Sequence, residues 1–379
     1  MTSTWGELLR ISLFGESHGA GIGVVMDGVP PGEALDMEAI AAFMERRAPG
    51  KMPWSSRRVE ADLPRVLSGI YQGKTTGTPI SAIIENTDAR AQDYADQADV
   101  PRPGHADFTG RIRYRAANDP RGGGHFSGRI TAPLCFAGAV CLQMLKRRGI
   151  FVAARVRSIG NIADAPVDTA VPGIKELKAV GSKAFPVLDD EKGRQMIDAV
   201  EQACAQGDSL GGVVQCFAIG LPVGLGDPMF GGVESRLASI LYGIPAVKGV
   251  AFGDGFAACC RRGSENNDAF YVNEDGQVHT LTNHEGGING GITSGMPVVF
   301  DVAFKPTPSI GKPQQSVNIK TMQQETRIIS GRHDPCIVPR AIVAVEAAAA
   351  IALLDLMLVG YGVQGFSEMG AGNGFSEME

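Results

Sequence analysis

None of the seven cysteines in this chain stands in a Cys-x-x-Cys pair. An odd number without metal-ligand spacing reads as reduced, buried thiols of a cytoplasmic protein, with no zinc or other metal site. No Gly-x-Gly-x-x-Gly leads from a strand into a helix, so a dinucleotide fingerprint is excluded. No Ser/Gly-rich, Pro-rich or charge-block linker divides the halves, which favours one large unit over separate domains. A basic-then-apolar signal pattern is missing at the N-terminus, and none is expected to be cleaved. The single apolar stretch near membrane length, Ala341 to Val359, carries Glu346 and Asp355, so a buried helix is expected there and no membrane span. Positive charge is also in deficit: the net charge of −6 argues against nucleic acid as a partner.

What is abundant is glycine, 50 of 379 residues, well above the usual ~7%. Five of the six histidines sit beside glycine or proline: His18 in Gly15-Glu16-Ser17-His18-Gly19, His105 in Arg102-Pro103-Gly104-His105-Ala106-Asp107, His125 in Gly122-Gly123-Gly124-His125, His284 in Asn283-His284-Glu285-Gly286-Gly287 and His333 in Gly331-Arg332-His333-Asp334-Pro335. Glycines let the backbone approach a ligand, and imidazole moves protons near neutral pH. One enzyme site assembled from these distant loops is the expectation. Arg102, Arg111, Arg113, Arg115, Arg121 and Arg129 crowd one segment of an otherwise acidic chain. A local arginine field suits a small polyanion, and a solvated charged face is the plainer alternative.

Hydrophobic periodicity and turn residues predict helices over Asp36–Arg47, Thr131–Arg148, Asp190–Gln206, Glu234–Leu241 and Arg340–Leu358. Strands are predicted over Thr78–Glu85, Phe151–Val156, Gly212–Ile219 and Val298–Phe304. Without regular βαβ alternation the fold class is α+β. Residues 1–360 read as one domain. Residues 361–379 read as a mobile tail, because Gly365-Phe366-Ser367-Glu368-Met369 recurs as Gly374-Phe375-Ser376-Glu377-Met378 without a sustained apolar period.

Taken in order, the motifs resemble the chorismate synthase family over roughly residues 5–360. They are Gly15–Gly19 with Asp27-Gly28-Val29-Pro30-Pro31-Gly32, Arg46-Arg47-Ala48-Pro49-Gly50, Glu85-Asn86-Thr87-Asp88, Arg102–Asp107, Gly122–Arg129, Gly253-Asp254-Gly255-Phe256, Asn283–Gly287, Lys305-Pro306-Thr307-Pro308-Ser309 and Gly331–Pro335. The resemblance implies a β-α-β sandwich of mostly antiparallel sheets. It also implies a 1,4-anti elimination of phosphate from 5-enolpyruvylshikimate 3-phosphate to give chorismate, the last step of the shikimate pathway in aromatic amino acid biosynthesis. Reduced FMN is needed there without net redox change. Homotetramers are usual in the family. With no insertion large enough for an intrinsic NADPH-dependent flavin reductase, the monofunctional type is implied, served by a separate reductase.

By the same resemblance His18 is the general acid toward the departing phosphate, His105 manages flavin protonation, and Asp334 takes the N5 proton. Arg47, Arg102, Arg129 and Arg332 would bind the substrate anions, since guanidinium forks match phosphate and carboxylate oxygens. The flavin positions are His125, Phe126 and Ser127, Pro245 and Ala246, Gly290, Lys305, Pro306, Thr307, Pro308 and Ser309, with Arg332. Three places depart from the family: His125-Phe126-Ser127 stands where Arg-Ser-Ser is frequent, Pro245-Ala246 where Asn-Ala is frequent, and Pro53 where many members have arginine, leaving Lys51, Arg57 or Arg58 to supply that charge. The rival readings are a flavin- or NADPH-dependent oxidoreductase acting on a small phosphorylated anion, and a non-catalytic phosphometabolite sensor. A lasting change in flavin redox state on turnover marks the first, and absence of turnover the second.

Overall fold

The computed structural model describes residues 3–48, 62–86, 99–329 and 334–369. Two five-stranded sheets form its outer layers. The first has the order β1 (Thr4–Trp5), β2 (Arg10–Gly15), β3 (Gly21–Asp27), β7 (Ile80–Glu85), β4 (Arg65–Ser68). The second runs β11 (Val247–Phe252), β16 (Val298–Phe304), β10 (Gly212–Ile219), β8 (Phe151–Ile159), β9 (Ile162–Ala163). Neighbouring strands in both sheets pair antiparallel. Small hairpins decorate them: β5–β6 (Ile70–Tyr71, Lys74–Thr75), β12–β13 (Phe270–Val272, Val278–Thr280), β14–β15 (Ile288–Asn289, Ile292–Thr293) and β17–β18 (Gln314–Asn318, Gln323–Arg327).

Between the sheets lie α1 (Met37–Arg47), α3 (Thr131–Arg147) and the C-terminal helix α8 (Val338–Glu368). Helix α3 packs on β3 and β7, α8 packs on β8 and β10, and α3 and α8 pack on each other. Their close approach has a local cause: a Cβ on Gly138 would lie 2.3 Å from the Ala347 Cα. The α+β sandwich is the fold expected from the motifs, and its strands alternate inward apolar residues such as Ile22, Val24 and Met26. Helix α4 (Ile174–Ser182) covers the outer face of the second sheet, where Leu177 meets Ala153, Phe217 and Val299. The remaining helices are α2 (Asp107–Arg113), α5 (Asp190–Ala205), α6 (Val233–Leu241) and the single turn α7 (Gly263–Asn266).

Most predicted elements appear within a residue or two. Asp36 caps α1, its side chain accepting from the Glu38 and Ala39 amides. Gly149, at φ +74°, closes the turn after α3. The β2–β3 hairpin was not predicted, because its strands sit among motif glycines. Helix α8 is longer than expected: it begins at Val338, bends where Gly362 takes φ +69°, and ends at Glu368. That corrects the tail boundary at residue 361. Phe366 is wholly buried against Arg148, whose guanidinium lies 3.8 Å from the ring centroid and donates to the Phe366 carbonyl at 3.1 Å. The second repeat, with Phe375, lies outside the described residues.

Helices over Gly128–Arg147 and Val338–Glu368 are long and apolar enough to cross a membrane, but both are packed mostly inside the protein. The two acids in α8 have partners. Glu346 accepts from Arg46 at 2.8 and 3.2 Å and from the Ala154 amide at 2.9 Å. Asp355, fully buried, accepts from the Glu7, Leu8 and Leu9 amides and from Arg236. The thiols correct one expectation. Cys135, Cys141, Cys216 and Cys336 are buried, and burial pushes the Cys135 and Cys336 thiols up to about 12, but Cys204, Cys259 and Cys260 are exposed.

Candidate active site

A cavity of about 850 Å³ opens where the ends of the two sheets meet the N-terminal ends of α3 and α8. Loops after β2, before α2 and before α3 line it, together with the turns into and out of the second sheet. Its wall brings together His18, Arg47, Arg102, His105, His125, Phe126, Ser127, Arg129, Pro245, Ala246, Lys305, Thr307, Pro308, Ser309 and Asp334. Two predicted positions are not on this wall: Gly290, in the turn between β14 and β15, and Pro306. Arg332, His333, Pro53, Lys51, Arg57 and Arg58 lie outside the described residues. The five-histidine expectation narrows accordingly. His284 is away from the cavity, its Nδ1 donating to the Asn266 carbonyl at 3.0 Å. Its Gly286 neighbour is required by close backbone packing on Gly253. Of the crowded arginines, Arg102 and Arg129 line the cavity, whereas Arg121 pairs with Asp119 at 2.7 Å and Arg111 lies 3.8 Å from Asp99.

The three glycines before His125 set the two catalytic-candidate histidines. Gly122, Gly123 and Gly124 take φ of +58°, +88° and +54°, conformations a side chain disfavours. A Cβ on Gly122 would fall 2.2 Å from His18 Cε1, and one on Gly123 would fall 3.0 Å from His105 Cε1. One turn therefore carries both rings. Ser17 Oγ lies 3.1 Å from His18 Nδ1 and 3.2 Å from the Arg121 carbonyl. A hydroxyl that donates to the carbonyl accepts from Nδ1–H, leaving Nε2 for the cavity. Nearby, hydrogen bonds from Arg121 hold the Asp119 carboxyl below its ordinary range against burial, with the His18 charge adding to the effect.

His105 Nδ1 is 2.6 Å from Asp107 Oδ1, and Arg102 donates to the same carboxylate from Nε at 2.7 Å and Nη2 at 2.8 Å. Arg102 also reaches Ser309 Oγ at 3.3 Å. Across the cavity, Arg47 and Arg129 both hold the buried Asp62 carboxylate, and Arg129 Nε donates to Asn86 at 3.2 Å. Arg340 donates from Nη1 to Asp334 at 2.6 Å and from Nε to the Arg47 carbonyl at 3.1 Å. Burial pushes the Arg340 guanidinium below its ordinary value, and Asp334 opposes that shift. Sequence reasoning missed Arg340 and Asp62. A signal for Arg340 was present: a cation in the first turn of a helix opposes the helix dipole, so its placement calls for another reason.

The donor set suits a flavin phosphate beside a second polyanion. Lys305 and Thr307 line the cavity, and the buried Thr307 hydroxyl has no protein partner among the described residues. Phe126, packed edge-on to Tyr114 at 6.0 Å, Ile240 and Ile244 supply apolar wall for a ring system. Ala246 holds φ +74° there, a conformation of the kind that clusters at ligand sites. His125 bridges the Gly15 carbonyl at 2.8 Å and Ser3 Oγ at 2.9 Å, so it braces the wall.

Known proteins resemble this arrangement over almost its whole length. The chorismate synthase family model matches residues 9–358. The chain is 45% identical over 354 residues to a chorismate synthase of Pyrococcus abyssi, covering 93% of this chain and 97% of that one. It is 46% identical over 358 residues to that of Lachnoclostridium phytofermentans, covering 94% and 95%. A crystal structure of chorismate synthase superposes with a TM-score of 0.76 at 28% identity, covering 96% of this chain and 97% of that one. With the motifs around His18, His105 and Arg129 gathered in one cationic cavity and the match running through both sheets, the chain belongs to the chorismate synthase family.

Proposed function

We propose that this cavity holds 5-enolpyruvylshikimate 3-phosphate and FMN side by side, with His18, His105 and Asp334 moving the protons. The reaction is that of the family: a lyase-type elimination of phosphate to give chorismate, dependent on FMN. The carrying observation for the residue roles is that His18 and His105, far apart in sequence, pack on adjacent glycines of one turn inside a ring of guanidinium groups.

When bound, reduced FMN supplies electron density to the substrate and regains it. The protein's part is to bind, orient and move protons. Arg47, Arg102 and Arg129 bring guanidinium charge to the phosphate and carboxylates, a role the family motif gives Arg332 as well; Lys305, Thr307 and Ser309 suit the flavin phosphate. His18, with Nδ1 engaged by Ser17, delivers its Nε2 proton to the departing phosphate. His105 holds or releases a proton beside the flavin, and Asp334, steadied by Arg340, accepts one. Apolar side chains around the ring system keep water out, which strengthens each charge interaction.

The working assembly is a homotetramer in the cytoplasm, and a separate NADPH-consuming reductase supplies reduced FMN. Support for the monofunctional type is that the sequence shows no insertion large enough for a reductase. The test is anaerobic turnover with chemically reduced FMN. Chorismate and phosphate should form in equal amounts while the flavin ends reduced; stoichiometric flavin oxidation would overturn the reading. His18→Ala and His105→Ala should each lower kcat at least ~10-fold, the low side of general acid–base effects, with FMN still bound.

A further inference from the structure

We propose that Asp107 is the positioning residue for His105: it fixes the proton on Nδ1 and turns Nε2 to the reacting molecules. This rests on the proton-handling role of His105 given above. Asp107 begins α2, two residues after His105, so the backbone turn itself brings carboxylate and imidazole together. The Nδ1···Oδ1 distance of 2.6 Å is that of a strong charge-assisted bond.

Arg102 Nη2 also lies 3.0 Å from Nδ1 and 3.3 Å from Nε2, which as the unprotonated nitrogen can accept from it. One ring nitrogen cannot donate to a carboxylate and accept from a guanidinium at once. The anion is the closer partner, so Nδ1 carries hydrogen, and Arg102 acts on Asp107 instead. It grips the carboxylate at three points: from its amide at 3.0 Å, Nε at 2.7 Å and Nη2 at 2.8 Å. Burial works against the charge on Asp107, but the hydrogen bonds from Arg102 and His105 hold its carboxyl far below the usual range. It is therefore an anionic acceptor at any working pH. On the other edge of the ring, a Cβ on Gly123 would lie 3.1 Å from Nε2, so only glycine leaves that nitrogen room. A carboxylate that fixes an imidazole tautomer from behind is a recurrent way of orienting a proton-transferring histidine.

Asp107→Asn keeps the shape and reverses the polarity. With its amide oxygen held by Arg102, the amide N–H faces Nδ1 and drives the ring proton to Nε2. Nitrogen-15 NMR of histidine-labelled full-length protein without flavin, taken well above the imidazole titration range, reads the tautomer directly. The wild type should show Nδ1–H at His105 and Asp107→Asn should show Nε2–H. An Nε2–H wild type overturns the proposal without need of any variant. In turnover, Asp107→Asn should lower kcat by ~10- to 100-fold yet add less than about twofold in a His105→Ala background, since a positioning residue has nothing left to position. An equal loss in both backgrounds would place its role in Arg102 or in folding. If His105→Ala alone turned over at the wild-type rate, the proton-handling assignment would fail instead, with the tautomer result still standing.

Discussion

Gly122 is where backbone freedom becomes chemistry. At φ +58° it lets the loop pass over His18, and a methyl there would overlap the ring at 2.2 Å. Gly122→Ala should destabilise by about 1–2 kcal/mol from its backbone conformation, and displacing His18 should lower kcat at least ~10-fold. Gly160→Ala is the matched control: φ is +54° and nothing lies within 4 Å of its Cβ position, in a turn between β8 and β9 that does not line the cavity. It should share the strain and keep the rate. Steady-state kinetics and thermal melts of the two variants decide this, and equal kinetic losses would refute a positional role for Gly122.

Elements are joined by buried ion pairs whose pH behaviour can be worked out. Glu33, in the turn before α1, receives Arg147 at 2.6 Å and Arg148 at 2.5 Å from the end of α3. Burial pushes the Glu33 carboxyl up, but the hydrogen bonds from Arg148 and Arg147 bring it below its ordinary value of 4.5. Because the folded value is the lower one, the stabilisation is full above the unfolded value and disappears as pH falls through the folded one. Glu33→Gln should cost about 3 kcal/mol at neutral pH, the lower end for a broken buried pair because Arg147 is partly exposed. Urea unfolding at stepped pH should show that gap closing only below the ordinary carboxyl range. A gap unchanged through acid would mean that packing, and not charge, sets the cost.

For the molecule as a whole, the last turns of α8 close the core. Phe366 is wholly buried under Arg148, which also holds Glu33, so the C-terminal end, α3 and the turn before α1 meet at one point. A chain ended at Gly360 should melt lower than the full chain. One ended at Met369 should melt with it. Phe366→Ala should cost about 3–5 kcal/mol, as for other buried aromatics. Calorimetry of the three proteins tests this; equal melting of the chain ended at Gly360 would return the tail to the mobile class.

Local signals in the sequence determined a good deal. Asp36 as a cap, and Gly149 and Gly207 as stops, bound α1, α3 and α5 because capping and left-handed turns are decided within a few residues. The apolar runs of β10 and β16 and the two acids inside the apolar α8 were equally legible, as was the motif order that named the family. What depends on contacts between distant segments was not. Nothing near Gly122 in sequence says that it faces His18, or near Gly290 that it stands off the cavity wall. Arg340 becomes a site residue only when α8 starts beside Asp334 and Arg47. Phe366 looked like part of a mobile repeat because its partner, Arg148, lies 218 residues away. Periodicity and caps report on neighbours in the chain. Burial and ion pairing are set by neighbours in space, and only the packed sheets and helices decide those.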